Sequence, residues 1–102
     1  MWVIAVYDCP MIEREERRDY AIFRKSLLHE NFFQLQNSLY VRHFPTMAVA
    51  EATIQRLRLS IPAGAQVAFF LVTDKQYGMT REFLGPKPSR KKPDFPEQIE
   101  LF

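Results

Sequence analysis

Apolar positions along the chain fall into two kinds of block. Trp2 to Tyr7 is an unbroken apolar run, rich in β-branched and aromatic residues and stopped by Asp8-Cys9-Pro10. It reads as a buried strand with a polar end. Glu13 to Asp19 is charged and helix-favouring, then passes into Tyr20, Phe23 and Leu27 at i, i+3 and i+7. This spacing predicts one amphipathic helix from about Met11 to Glu30, with Asn31 as its stop. Phe32 to Phe44 carries strand-type residues broken at Gln36-Asn37-Ser38, which predicts a short strand, Phe32 to Gln36, turning tightly into a stronger one, Ser38 to Phe44. Pro45-Thr46 opens a second helix with Thr46 as N-cap. Ala50, Ile54, Leu57 and Ile61 lie on one face of it, and Pro62-Ala63-Gly64 ends it. Gln66 to Thr73 is another buried strand. Met79 to Leu84 forms a short further one after the polar stretch Asp74 to Gly78.

The order β-α-β-β-α-β matches a ferredoxin-like α+β architecture, an antiparallel sheet with both helices on one face. A different small α+β sandwich is the alternative. Residues 1–85 make the domain, and residues 86–102 a basic, proline-rich tail. The tail holds four of the chain's seven prolines, and its apolar end, Gln98 to Phe102, is expected to dock as a strand extension. A lone sheet of this kind wets one face, so its strands should alternate apolar and polar. The first and last core strands do not: Trp2, Ile4 and Val6 oppose Val3, Ala5 and Tyr7, and Val67, Phe69 and Leu71 oppose Ala68, Phe70 and Val72. Something must cover the second face. A homodimer packed sheet to sheet does so, and so does the tail folded across its own sheet.

Composition narrows the class. With 102 residues, 47% of them apolar and 25% charged, the chain allows one domain with a core of its own. A net charge of +2 excludes a heavily basic nucleic-acid coat but leaves both nucleic acid and protein as partners. The single Cys9 has no internal disulfide partner, which points to a reducing compartment. No apolar run reaches the length of about 18 residues needed to span a membrane, and Met1 to Tyr7 lacks the marks of a signal peptide. A cytoplasmic location is expected.

Asp8 is the sharpest candidate for chemistry. It stands at the mouth of a buried strand and shares a face with Ile4 and Val6. One carboxylate is a poor magnesium site, but two, brought together by a two-fold axis, would share a hard cation through oxygen and water. The plainer reading has Asp8 accepting backbone N–H bonds in the following loop. Arg14, Arg17 and Arg18 form a basic strip near the start of the first helix, suited to phosphate or simply to solvent, with Glu13 and Arg17 as an i, i+4 pair. Arg42 and the tail's Arg90, Lys91 and Lys92 are further phosphate candidates. His29 and His43 are too isolated for zinc, Cys9 shows no dyad pattern, and there is no Gly-rich phosphate loop.

These residues carry a resemblance. Val6-Tyr7-Asp8 closing the first strand, the charged Glu16-Arg17-Arg18 with Tyr20 and Phe23-Arg24, the run Gln36 to Arg42, and Val72-Thr73-Asp74-Lys75-Gln76-Tyr77 follow in order within a short chain. Together they resemble the CRISPR-associated adaptation subunit of the Cas-two family, with Lys75-Gln76-Tyr77 similar to members of type II systems. The resemblance covers about residues 1–85. It implies a ferredoxin-like fold and a sheet-to-sheet homodimer acting in spacer acquisition, where the dimer bridges Cas-one integrase dimers and holds duplex DNA. It also implies an alternative, a magnesium-dependent endonuclease acting on duplex DNA or single-stranded RNA. Asp8 matches the family's metal-ligand and catalytic position, with magnesium held between the two Asp8 of a dimer. Tyr7, Arg17, Arg18, Ser38 and Arg42 match nearby polar positions, and Arg14 joins them as a nucleic-acid contact on the same helix. Cys9 departs from the family pattern, and the tail is longer than in its shortest members.

Overall fold

A computed structural model describes residues 1–87 of the chain. Its elements run β1 (Trp2–Asp8), α1 (Arg14–His29), β2 (Phe33–Gln36), β3 (Leu39–His43), α2 (Met47–Arg58), β4 (Gln66–Val72) and a short helix α3 (Asp74–Gly78). The four strands form one antiparallel sheet in the order β2-β3-β1-β4. This is the expected α+β, ferredoxin-like arrangement.

Local sequence explains the boundaries. Thr46 accepts a hydrogen bond from the Val49 N–H at 3.2 Å, capping α2 as its position foretells. At the start of α1 a Glu16 carboxylate oxygen accepts from the Ile12 and Glu13 N–H groups at 2.9 and 2.8 Å, so three residues of the predicted helix become a loop instead. Asn31, with φ of 65°, turns the chain out of α1, a left-handed conformation that Asn tolerates better than most residues. The β2–β3 hairpin turns at Asn37-Ser38 and carries a register shift between Gln34 and Gln36.

Val3, Ala5 and Tyr7 of β1 pack with Tyr40 of β3, with Phe23 and Leu27 of α1, and with Ala50 and Leu57 of α2 in one buried cluster. Both helices therefore lie on one face. The Cβ alternation of the strands sends Trp2, Ile4, Val6 and Asp8 to the other face, beside Leu39, Val41 and His43 of β3 and Gln66, Ala68, Phe70 and Val72 of β4. Across β1, β3 and β4, the polar side chains of that face are Asp8, Gln66 and His43. Phe70 is 53% exposed there.

One predicted element does not form. Met79 to Leu84 carries no strand, and Phe83 and Leu84 stand exposed. The segment is too short to stand alone, its expected ladder partner is the sheet edge of a second subunit, and among the described residues no strand pairs with it. Ahead of it the polar stretch Asp74 to Gly78 makes α3, whose Thr73 cap accepts from the Gln76 N–H while the Gln76 side-chain oxygen accepts from the Thr73 N–H. Tyr77 of α3 stacks on Trp2 with ring centroids 3.9 Å apart, so α3 covers one end of the open face. The expected docking of Gln98 to Phe102 falls outside the described residues.

Candidate functional site

The C-terminal end of β1 meets the β2–β3 turn because β1 and β3 are neighbours in the sheet. The Tyr7 N–H donates to the Ser38 carbonyl at 3.2 Å, which fixes the turn against the strand end. A cavity of about 250 Å3 opens there, lined by Tyr7, Asp8, Cys9, Met11, Tyr20 and Ser38. Three of the residues singled out from sequence (Tyr7, Asp8 and Ser38) are thus brought together.

Their states differ. Asp8 is exposed, at the rim between this cavity and the open sheet face. Tyr7 is buried, its ring edge-on to Phe23, and its hydroxyl donates to the Tyr20 hydroxyl at 3.3 Å. Burial, with the Tyr20 and Tyr40 phenols close by, pushes the Tyr7 phenol far above its ordinary range. It is a neutral hydroxyl at any working pH. Burial, then the charge of Asp8, pushes the Cys9 thiol up as well, so Cys9 is no thiolate nucleophile.

The basic strip divides. Arg17 does not pair with Glu13. Its guanidinium donates to the Ile12 and Met11 carbonyls at 2.6 and 3.2 Å, bracing the loop that leads from Asp8 into α1. Loop carbonyls that lack a ladder or helix partner outcompete a solvated carboxylate for that donor. Arg14 and Arg18 are exposed, Arg18 with only a 3.9 Å approach to Asp19. Both remain available to an anion. Arg42 stands apart. It pairs with Val3, at the opposite end of β1 from Asp8, and points to the helical side. There it donates to the Glu30 carbonyl at 2.7 Å and lies over the Phe44 ring at 4.2 Å. Arg42 ties the end of α1 to the sheet.

Two features escaped the sequence reading. Tyr20 belongs to the apolar stripe of α1, yet its hydroxyl completes the cavity; an aromatic with a polar tip, near the helix start, was the available signal. Glu30 accepts from Arg56 at 2.8 and 2.9 Å across 26 residues, a strut between α1 and α2 that no local spacing announces.

Magnesium is a hard cation that takes oxygen ligands and keeps several waters. Asp8 supplies the right donor type but too few donors. Among the described residues, no three of His, Cys, Asp and Glu come together. Within one chain the donors fit only in part, and a second carboxylate must come from outside it.

The site thus combines a strand-end aspartate at the rim of an open apolar face with a cavity lined by Tyr7 and Tyr20. The profile of the family described as CRISPR associated protein Cas2 matches residues 1–80. The chain belongs to the Cas2 family. It is similar to a protein of Parvibaculum lavamentivorans named CRISPR-associated endoribonuclease Cas2, 37% identical over 102 residues and covering both chains in full. A protein of Flavobacterium psychrophilum with the same name is also 37% identical, over all of this chain and 88% of its own length. Among solved structures, that of Streptococcus pyogenes Cas2 at pH 6.5 matches with a TM-score of 0.64 at 24% identity, over 83% of this chain and all of that one. This last likeness is one of fold. Among the described residues, no helix is long and apolar enough to cross a membrane.

Proposed function

We propose that the protein is a homodimeric subunit of the CRISPR spacer-acquisition complex, bridging Cas-one integrase dimers and holding the backbone of duplex DNA. The observation that carries this reading is the open sheet face, apolar across β1, β3 and β4 except for Asp8, Gln66 and His43. A second copy packed on it removes that surface from water and sets two basic helix starts, each with Arg14 and Arg18, on one assembly. Phosphate contacts bind duplexes with little regard to sequence and release counterions, so affinity falls steeply with salt. Reversing Arg14 and Arg18 to Glu is expected to weaken binding to all duplexes alike and to flatten the salt slope by roughly 0.9 for each phosphate no longer neutralised. Binding and slope unchanged in that variant would remove these arginines from the interface, and a monomer by sedimentation would remove the dimer. Pull-down of the integrase by the wild-type chain tests the bridging role.

A second reading, a magnesium-dependent endonuclease, is favoured by the place of Asp8. It is exposed at the edge of the face where a second copy would bring its own Asp8, and the relatives bear the name endoribonuclease. The paired carboxylates would hold the ion, and a bound magnesium there polarises a phosphate and activates water. Ser38 lines the cavity beside Asp8, while the Tyr7 hydroxyl stays committed to Tyr20. Asp8→Asn separates the readings: cleavage of single-stranded RNA or duplex DNA is lost, while spacer integration continues.

A further inference from the structure

The outer surface of the helical layer carries a groove that neither reading uses. It runs between the C-terminal half of α1 and the end of α2 and encloses about 690 Å3. Its base is apolar. Leu57 is buried at the bottom, and Ile22 and Leu28 stand 51% and 40% exposed along the α1 wall. A smaller hollow of about 180 Å3 continues from Ile22 to the exposed Leu59. The rim carries Lys25 and the His29 imidazole of α1 and Arg56 of α2. Lys25 has no ion-pair partner among the described residues, Glu30 of the wall is already matched by Arg56, and Asp19, in the smaller hollow, lies 3.9 Å from Arg18. An apolar trough with a basic rim suits a segment that is both apolar and acidic. A nucleic-acid backbone would satisfy the cations but leave Ile22, Leu28 and Leu59 in water.

The chain contains one such segment. Past Lys87 the sequence changes sign at Pro93. Pro86 to Lys92 holds Lys87, Arg90, Lys91 and Lys92 and no acid. Asp94 to Phe102 holds Asp94, Glu97 and Glu100 and no base, with Phe95, Ile99, Leu101 and Phe102 as its apolar residues. Leu84, exposed, lines a hollow with Leu35 and Gln36 of β2. The residues between Leu84 and Asp94 can extend to about 30 Å, more than the diameter of one helix at about 10–12 Å.

We infer that residues 94–102 of this chain dock in the groove between α1 and α2. Ile99, Leu101 and Phe102 lie in the trough on Ile22, Leu28 and Leu57, and the acids face Lys25 and His29. The basic link stays clear of a rim of its own sign. Docking there is independent of what Asp8 and the arginines do.

Methyl NMR on the full-length protein tests it. In the double variant Ile99→Asp, Leu101→Asp, the methyl signals of Ile22, Leu28 and Leu57 are expected to shift, while that of the core residue Val3 stays in place. A synthetic peptide of residues 94–102 added to that variant should return the groove signals to their wild-type positions, less effectively as salt is raised. Lys25→Glu in the otherwise wild-type chain should move them as the double variant does. Groove signals that ignore the double variant overturn the inference, as does a shift confined to Ile4 and Val6 of the open sheet face. Peptide binding that ignores both salt and Lys25→Glu overturns its electrostatic half.

Discussion

The sheet has two faces of similar apolar content and opposite fates. One carries Val3, Ala5, Tyr7 and Tyr40 and is sealed by Phe23, Leu27, Ala50 and Leu57 from the two helices. The other carries Trp2, Ile4, Val6, Leu39, Val41, Ala68 and Phe70, and α3 reaches only its Trp2 end, with Tyr77 stacked on Trp2 and Asp74 3.1 Å from His43. Apolar burial therefore comes from the described chain itself on one side and, in the proposed assembly, from a second copy on the other. The first face fixes the fold, and the second fixes what the fold joins.

Substitutions on the two faces should separate these roles. Phe23 has no exposed surface, and Phe23→Ala leaves a cavity beneath Tyr7. A loss of about 3–5 kcal/mol is expected in urea unfolding, enough to unfold many domains of this size. Phe70→Asp on the open face should cost the isolated chain about 1 kcal/mol or less, within the range of β-propensity. The same change should weaken self-association by about 2 kcal/mol or more, roughly thirtyfold, by sedimentation equilibrium. An equal loss of fold stability from both variants would erase the distinction between the faces.

Two tyrosines sharpen it further. The Tyr7 hydroxyl is bonded to Tyr20, whereas the Tyr40 hydroxyl is buried with no hydrogen-bond partner among the described residues. Tyr7→Phe should lose about 0.5–1.5 kcal/mol, and Tyr40→Phe should be neutral or stabilising, since it removes a desolvated group that gains nothing. The smallest effect concerns the strut that holds the helical cover together. Hydrogen bonding to Arg56 holds the Glu30 carboxyl below the usual range, against a smaller opposing effect of burial. The stability this contributes is complete above the unfolded value of about 4.3 and is lost as pH falls through the lower folded value. Glu30→Gln should flatten that acid limb in a pH series of melting temperatures and leave the limb above neutrality unchanged.

Much of this was legible in the sequence, for identifiable reasons. Continuous apolar runs gave β1 and β4, and the Thr46 cap marked α2, because period and capping are local properties. Tyr7, Asp8 and Ser38 meet because β1 and β3 are neighbours in the expected topology. Other features depended on competition that local spacing does not show. Thr73 and Gln76 carry a capping-box spacing, but the run between them and Met79 is too short for an apolar period to mark it as helix. Met79 to Leu84 has the composition of a strand and lacks a neighbour. Arg17 had a carboxylate at i−4 and chose loop carbonyls. Arg42 had the look of a free phosphate ligand until the fold brought the end of α1 beside it. Sequence names the donors well; which acceptor wins is decided by what the fold brings within hydrogen-bond reach.

The stack of Tyr77 on Trp2 has an optical consequence. Trp2 is the only tryptophan in the chain, and it lies on the open sheet face with Phe33 and His43 also at its edges. Its emission therefore reports on that face alone. Anything that docks there and moves Tyr77 or excludes water from the indole will change the wavelength or yield of the signal, with no label attached. The protein thus carries a built-in fluorophore on the face that the proposed dimer would cover.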